Sequence, residues 1–169
     1  GLIAPGYLEN IANYARNGGA VLVAVGPTYA DRYASIHNSA IGDVMPAVPT
    51  ERVLEQGFRP TVTALGQRHP VTQELTAAAA WGRWFRQIEA SPVSGQVLMA
   101  GIGERPLLVL DRVGEPGNQG RVAQILSDHI WLWARGFEGG GPHGELLRRL
   151  AHWLMKEPEL EEEALAATA

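Results

Sequence analysis

Cysteine is absent from this chain. That excludes disulfides, thiolate metal sites and thiol nucleophiles within these residues. It does not identify a compartment, since exported and cytosolic proteins alike can lack it. Lysine is nearly absent too: of fourteen basic residues only Lys156 is not Arg. GC-rich coding explains that bias more simply than a phosphate site does. A net charge of −4 argues against the basic stripe that a nucleic-acid surface needs. Long apolar runs are missing as well. Those near 20–25 and 107–110 are far too short to cross a bilayer, and no signal peptide is legible. The chain opens on Gly1, not Met, and is read as a piece cut from a longer protein. A missing membrane segment here therefore says little about its parent.

What is present fits one globular domain. The 169 residues are 46% hydrophobic and 19% charged, enough for a sizeable core. Pro5 and the spacing of Leu8, Ile11, Ala12 and Ala15 predict a helix over 5–17. Gly18-Gly19 ends it, and the unbroken apolar run 20–25 predicts a strand covered on both faces. Residues 27–38 read as a polar loop and 39–44 as a helical turn stopped by Pro46. Residues 47–60 give a mixed signal broken by Pro49, Gly57 and Pro60. Residues 61–65 read as extended, 66–72 as a turn and 81–86 as ambiguous. Strands are expected at 95–100, 105–112 and 120–126, the last two paired antiparallel around the turn-rich 114–120. Residues 127–137 read as a short helix or loop, 139–141 as a connector and 142–156 as an amphipathic helix. An acidic tail or linker occupies 157–169.

In open α/β sheets a ligand or nucleophile sits where such a strand ends. Here that position holds Gly26, Pro27 and Thr28. Gly139 to Gly144 matches a dinucleotide pattern, but it follows no core strand and leads to no further one. It reads as a loop that lets the last helix dock. His37, His69, His129, His143 and His152 are dispersed, so no metal site emerges, and His69 reads as a structural His bonded to backbone. Ser127-Asp128-His129 has the residue types of a triad, but consecutive side chains cannot all face one another. Asp128 reads as a turn cap. Arg148 and Arg149 offer an anion site or a solvated face. Trp131 and Trp133 would share a face if extended, giving with Arg135 an exposed aromatic edge.

The helix–Gly-Gly–strand of 5–25 resembles the segment before the nucleophile elbow in the class I glutamine amidotransferase-like superfamily. The phrase Gly66-x-x-His69-Pro70-Val71-Thr72 is similar to one in its trehalose-utilisation-type relatives. Residues 120–137, with 139–159, resemble the amidotransferase-like domain of large bacterial membrane proteins of the aerotolerance-operon type. That resemblance implies an elbow near Gly26-Pro27-Thr28, where active members place a Cys. None of these residues supplies a thiol, and Thr28 has no base adjacent in sequence. His69 matches the His-Pro phrase, not the catalytic His. The resemblance thus implies the scaffold and not glutamine hydrolysis.

The expectation is an α/β domain over 1–156, a flavodoxin-like three-layer sandwich. Its sheet would be mostly parallel with a C-terminal antiparallel hairpin, its first strand or strands lying upstream of Gly1. The expected role is a non-catalytic interaction or scaffold module of a membrane-anchored bacterial protein. The alternative is a superfamily enzyme or small-ligand binder, with Gly26, Thr28, His69 and Asp128 converging on one pocket. Trp131, Trp133, Arg135, Arg148 and Arg149 are the candidate interaction surface. No cofactor, metal or nucleic acid is expected. The expected partners are other domains of the parent chain, other membrane-associated proteins, or a second copy through an exposed sheet edge.

Overall fold

A computed structural model describes residues 3–75 and 81–156; the acidic tail expected at 157–169 lies outside them. Helix α1 (Pro5–Arg16) leads through Gly18-Gly19 into β1 (Ala20–Ala24). Short 3-10 turns over 27–44 follow, then β2 (Ala47–Leu54) and β3 (Thr61–Val62). The second half holds β4 (Gln87–Pro92), β5 (Gln96–Ala100), β6 (Pro106–Val113) and β7 (Gly120–Ile125). Helices α2 (Trp131–Ala134) and α3 (His143–Leu154) complete the order.

The main sheet has five strands in the order β1-β7-β6-β5-β3, and β2 and β4 form a second, antiparallel pair. The flavodoxin-like, mostly parallel arrangement expected from the sequence does not form. Among the described strands only β1 and β7 run parallel; β7–β6, β6–β5 and β5–β3 are antiparallel. The reason is connection length. A parallel crossover needs a dozen or more residues, commonly a helix. Only the short segments 101–105 and 114–119 separate β5, β6 and β7, so these strands fold back as hairpins. The expected antiparallel pairing of 105–112 with 120–126 is present, Leu108 opposite Ile125 through Val113 opposite Gly120.

The apolar run at 20–25 is a strand, but it is the sheet's edge and not a doubly covered centre. Leu22 is 44% exposed. Alternation along the central strands sends residues to two cores. Leu108, Leu110, Ala123 and Ile125 join Leu146, Leu150, Trp153 and the Trp81–Trp84–Trp133 cluster on the α3 face. Val109 and Leu126 join Val25, Tyr29, Ala47 and Ile88 on the other face. Val122 packs there with Leu8, Ala12 and Ala15 of α1. Burying these stripes removes roughly 2 kcal/mol worth of apolar surface from water per large side chain.

Pro49 did not prevent a strand, because β2 needs backbone partners only on the β4 side. The ladder slips between Pro49 and Val53, where Glu51 takes φ +66°. Ala47 anchors this pair to the main sheet. Its carbonyl accepts from the Tyr29 phenol at 2.6 Å and its N–H donates to Gln124 Oε1 at 3.0 Å. Among the described residues no helix is long and apolar enough to cross a membrane.

Candidate functional site

Parallel strands β1 and β7 end side by side, and their C-terminal loops meet. Gly26 starts the turn after β1, and Asp128 lies in the loop after β7. A Cβ built on Gly26 would stand 2.8 Å from Asp128 Oδ2. Asp128 in turn holds Arg86 Nη1 at 3.1 Å, and Arg86 Nε lies 3.7 Å from Glu55 Oε1. His129 Nε2 stands 3.9 Å from Asp128 Oδ1, and its Nδ1 accepts from the Phe85 N–H at 3.1 Å. That acceptor role puts the proton of neutral His129 on Nε2, facing Asp128. Burial draws the imidazole below its usual pKa, against the pull of Asp128. The buried Ser127 hydroxyl donates to the Arg86 carbonyl at 2.6 Å and accepts from the His129 N–H.

These bonds decide the chemistry of the tripeptide 127–129. Ser127 is committed to backbone, and the acceptor nitrogen of His129, Nδ1, is taken by the Phe85 N–H. Asp128 faces a guanidinium. Nothing here joins a hydroxyl to a free imidazole acceptor, as nucleophile activation requires. Thr28 is exposed, and among the described residues no imidazole is bonded to its hydroxyl. Beside it a shallow hollow of about 140 Å³ is lined by Val23, Val25, Gly26, Thr28, Tyr29 and Ile36. Pockets for drug-sized ligands start at about 300 Å³.

His69 does not join Gly26, Thr28 and Asp128. It packs edge-on to Trp153 at 6.4 Å, on the α3 face of the sheet, whereas Tyr29 packs with Val109 on the opposite face. Burial, reinforced by Arg112 and Arg121, lowers its pKa to about 4. Its Nδ1 accepts from the Val71 N–H at 3.2 Å, the backbone-bonded role read from sequence. Among the described residues no group of His, Asp and Glu is placed to hold a metal ion.

The candidate interaction residues also separate. Helical geometry in α2 turns Trp131 and Trp133 to different sides, so they share no face. Trp131 is 49% exposed under Arg135, while Trp133 is 3% exposed and donates to the Gly82 carbonyl at 2.8 Å. The glycine run at 139–141 serves that ring: a side chain on Gly141 would collide with it. Arg148 and Arg149 both bond Glu145, at 2.8 and 2.7 Å, and Arg149 also donates to the Gln73 carbonyl. They hold Glu145 at a pKa of about 2 and tie α3 to the 66–75 segment. Arg86, Glu55 and the Gly26–Asp128 contact were not singled out from sequence. Arg86 and Glu55 are ordinary in composition, and only the strand pairing brings them to Asp128.

No protein-family model matches the chain, and no curated protein matches it. Among solved structures it is similar to the exo-β-1,4-mannosidase Op5Man5 from Opitutaceae bacterium strain TAV5, at 15% identity and a TM-score of 0.47. The alignment covers 97% of this chain and 23% of that one, so the chain spans less than a quarter of the mannosidase. At that level the likeness assigns neither fold nor activity.

Proposed function

We propose that this chain is a non-catalytic interaction domain of a membrane-anchored bacterial protein. In this reading it is related through its sequence phrases to the amidotransferase-like domains of aerotolerance-operon-type proteins. The observation that carries the reading is the strand-end bend. Gly26 meets an Asp128 already paired with Arg86, and the imidazole beside it offers no free acceptor. Such a bend is a structural junction between β1, β7 and the segment before β4. Its partners are other domains of the parent chain, other membrane-associated proteins or a second copy. The test is ammonia release from glutamine or asparagine by the purified protein, with none expected above buffer. Turnover lost on replacing Asp128 or His129 would overturn the reading.

A small-ligand binder is the second reading, favoured by the hollow beside Gly26 and Thr28. Its size admits only a few heavy atoms. A panel of small carboxylates and amides, read by shifts in the Thr28 and Tyr29 amide resonances, separates the two readings.

A further inference from the structure

We propose that two copies of this chain associate through the free edge of β1, joining their sheets and pairing their α1 helices. The proposal rests on the interaction-domain reading and names its partner. Four observations on that edge converge.

The first is hydrogen-bonding capacity. Val25 donates to Ile125 and Gly19 accepts from Arg121, so the odd residues of this segment face β7. Ala20, Leu22 and Ala24 therefore turn their N–H and C=O groups outward, and among the described residues no strand lies beside them, Lys156 Nζ reaching only the Gly18 carbonyl before them. The second is the lack of edge protection. Residues 20–26 contain no charge and no proline, the devices that blunt an open strand.

The third is self-complementarity. Ala20-Val21-Leu22-Val23-Ala24 reads the same in both directions. A two-fold axis perpendicular to the sheet and midway between the two Leu22 residues sets Leu22 opposite Leu22 and Ala20 opposite Ala24. Those are the residues whose polar groups face outward, so each pair exchanges both hydrogen bonds. Val21 and Val23 then oppose each other on the α1 face, while the exposed Leu22 side chains meet on the other.

The fourth is the outer flank of α1. Leu8, Ala12 and Ala15 face the core, and Arg16 reaches Asp43 at 3.5 Å on the flank toward the 40–44 turn. That turn belongs to the cluster that holds Val122 of β7 and Val113 of β6 together with Val21 and Val23 of β1. At about 100° per residue, Tyr7, Ile11 and Tyr14 lie roughly opposite Arg16. They form an exposed apolar stripe, with Tyr7 67% and Tyr14 58% accessible. A side chain on Gly19 would meet the Tyr14 ring, which places the stripe along the start of β1. Helix α1 touches both β1 and β7, its last turn lying against Gly120 at the start of β7. The same two-fold axis sets the two α1 helices antiparallel on one face of the joined sheet, with their Tyr7, Ile11 and Tyr14 stripes toward each other. One symmetry operation thus covers both the open ladder and the apolar stripe.

The absence of cysteine makes the test clean. Sedimentation at tens of micromolar should give twice the chain mass of 18.2 kDa. Leu22→Cys should oxidise to a covalent dimer, since opposed residues of such a pair lie within disulfide reach. Val93→Cys, at an exposed residue outside β1, should leave the dimer without a covalent link. Amide exchange at Ala20, Leu22 and Ala24 should slow with rising concentration, and Ile11→Glu should abolish that dependence. A folded monomer at 100 micromolar would overturn the proposal, as would a dimer that Leu22→Cys does not trap. Concentration-independent protection of these amides in a longer version of the chain would overturn it too, by assigning the edge to a segment of the same polypeptide. None of these readouts depends on ammonia release, so failure here and failure of the non-catalytic reading are distinct.

Discussion

Gly26 and Asp128 face each other across the ends of the two parallel strands so closely that a Cβ on Gly26 would stand 2.8 Å from Asp128 Oδ2 and displace it. The contact fuses the loop after β1 to the loop after β7, where a ligand would have to enter. Gly26 sits at φ −110°, so alanine there strains no backbone. Its Cβ would instead push Asp128 off Arg86. Gly26→Ala should cost roughly 1–2 kcal/mol in urea unfolding, and less in an Asp128→Ala background. Equal costs in the two backgrounds would deny the coupling.

His69 gives the fold a pH signature. Its folded pKa of about 4 lies below the ordinary 6.5, so the unfolded state binds the proton first as pH falls. Stability should be full above pH 6.5 and decline between 6.5 and 4, by at most about 3 kcal/mol. His129, also lowered, adds a slope of the same sign. Glu138 and Glu145, held at about 2 by their arginines, act below pH 4.5 instead. Unfolding free energies across pH should flatten above 4.5 in His69→Asn. An unchanged slope would mean the imidazole is protonated in place.

The tryptophans of α2 should differ sharply. Trp133→Ala empties a ring packed 4.8 Å from Trp84 and 5.2 Å from Trp81, and leaves the Gly82 carbonyl unmet. A loss of roughly 3–5 kcal/mol is expected. Trp131→Ala should stay within about 0.5 kcal/mol. Thermal unfolding of the two variants checks the contrast.

Helix α1 crosses β7 without room for a methyl group. A Cβ on Gly120 would collide with the carbonyl of Ala15. Gly120→Ala should therefore destabilise the protein by on the order of 3 kcal/mol, because the obstacle is backbone and cannot rotate away. Circular dichroism melts give the answer; a cost under 1 kcal/mol would show that α1 shifts freely.

Local structure was legible where one signal dominated. Pro5 and Gly18-Gly19 framed α1, and the turn residues of 114–120 located the β6–β7 hairpin. Lateral position was not legible. The run 20–25 reads as doubly covered, yet apolar residues report which faces are favourable to bury, not how many neighbouring strands exist. Pro49 hid β2, since proline is harmless on a strand bonded along one side. The site failed for a related reason. Asp128 and Gly26 are brought together by the parallel pairing of β1 with β7, while His69, in the segment after β3, packs against Trp153 of α3 on one face of the sheet. The face that segment reaches is fixed by distant contacts with Arg149 and Trp153 of α3, and His69-Pro70 does not encode them.

The proposed non-catalytic role requires that the strand-end bend perform no chemistry. Its most direct measurement is steady-state ammonia release from glutamine and asparagine by the purified protein, beside Asp128→Asn and His129→Ala. The expected result is the buffer rate for all three proteins. A rate above buffer that disappears in either variant would contradict the claim and return Thr28, Asp128 and His129 to catalysis.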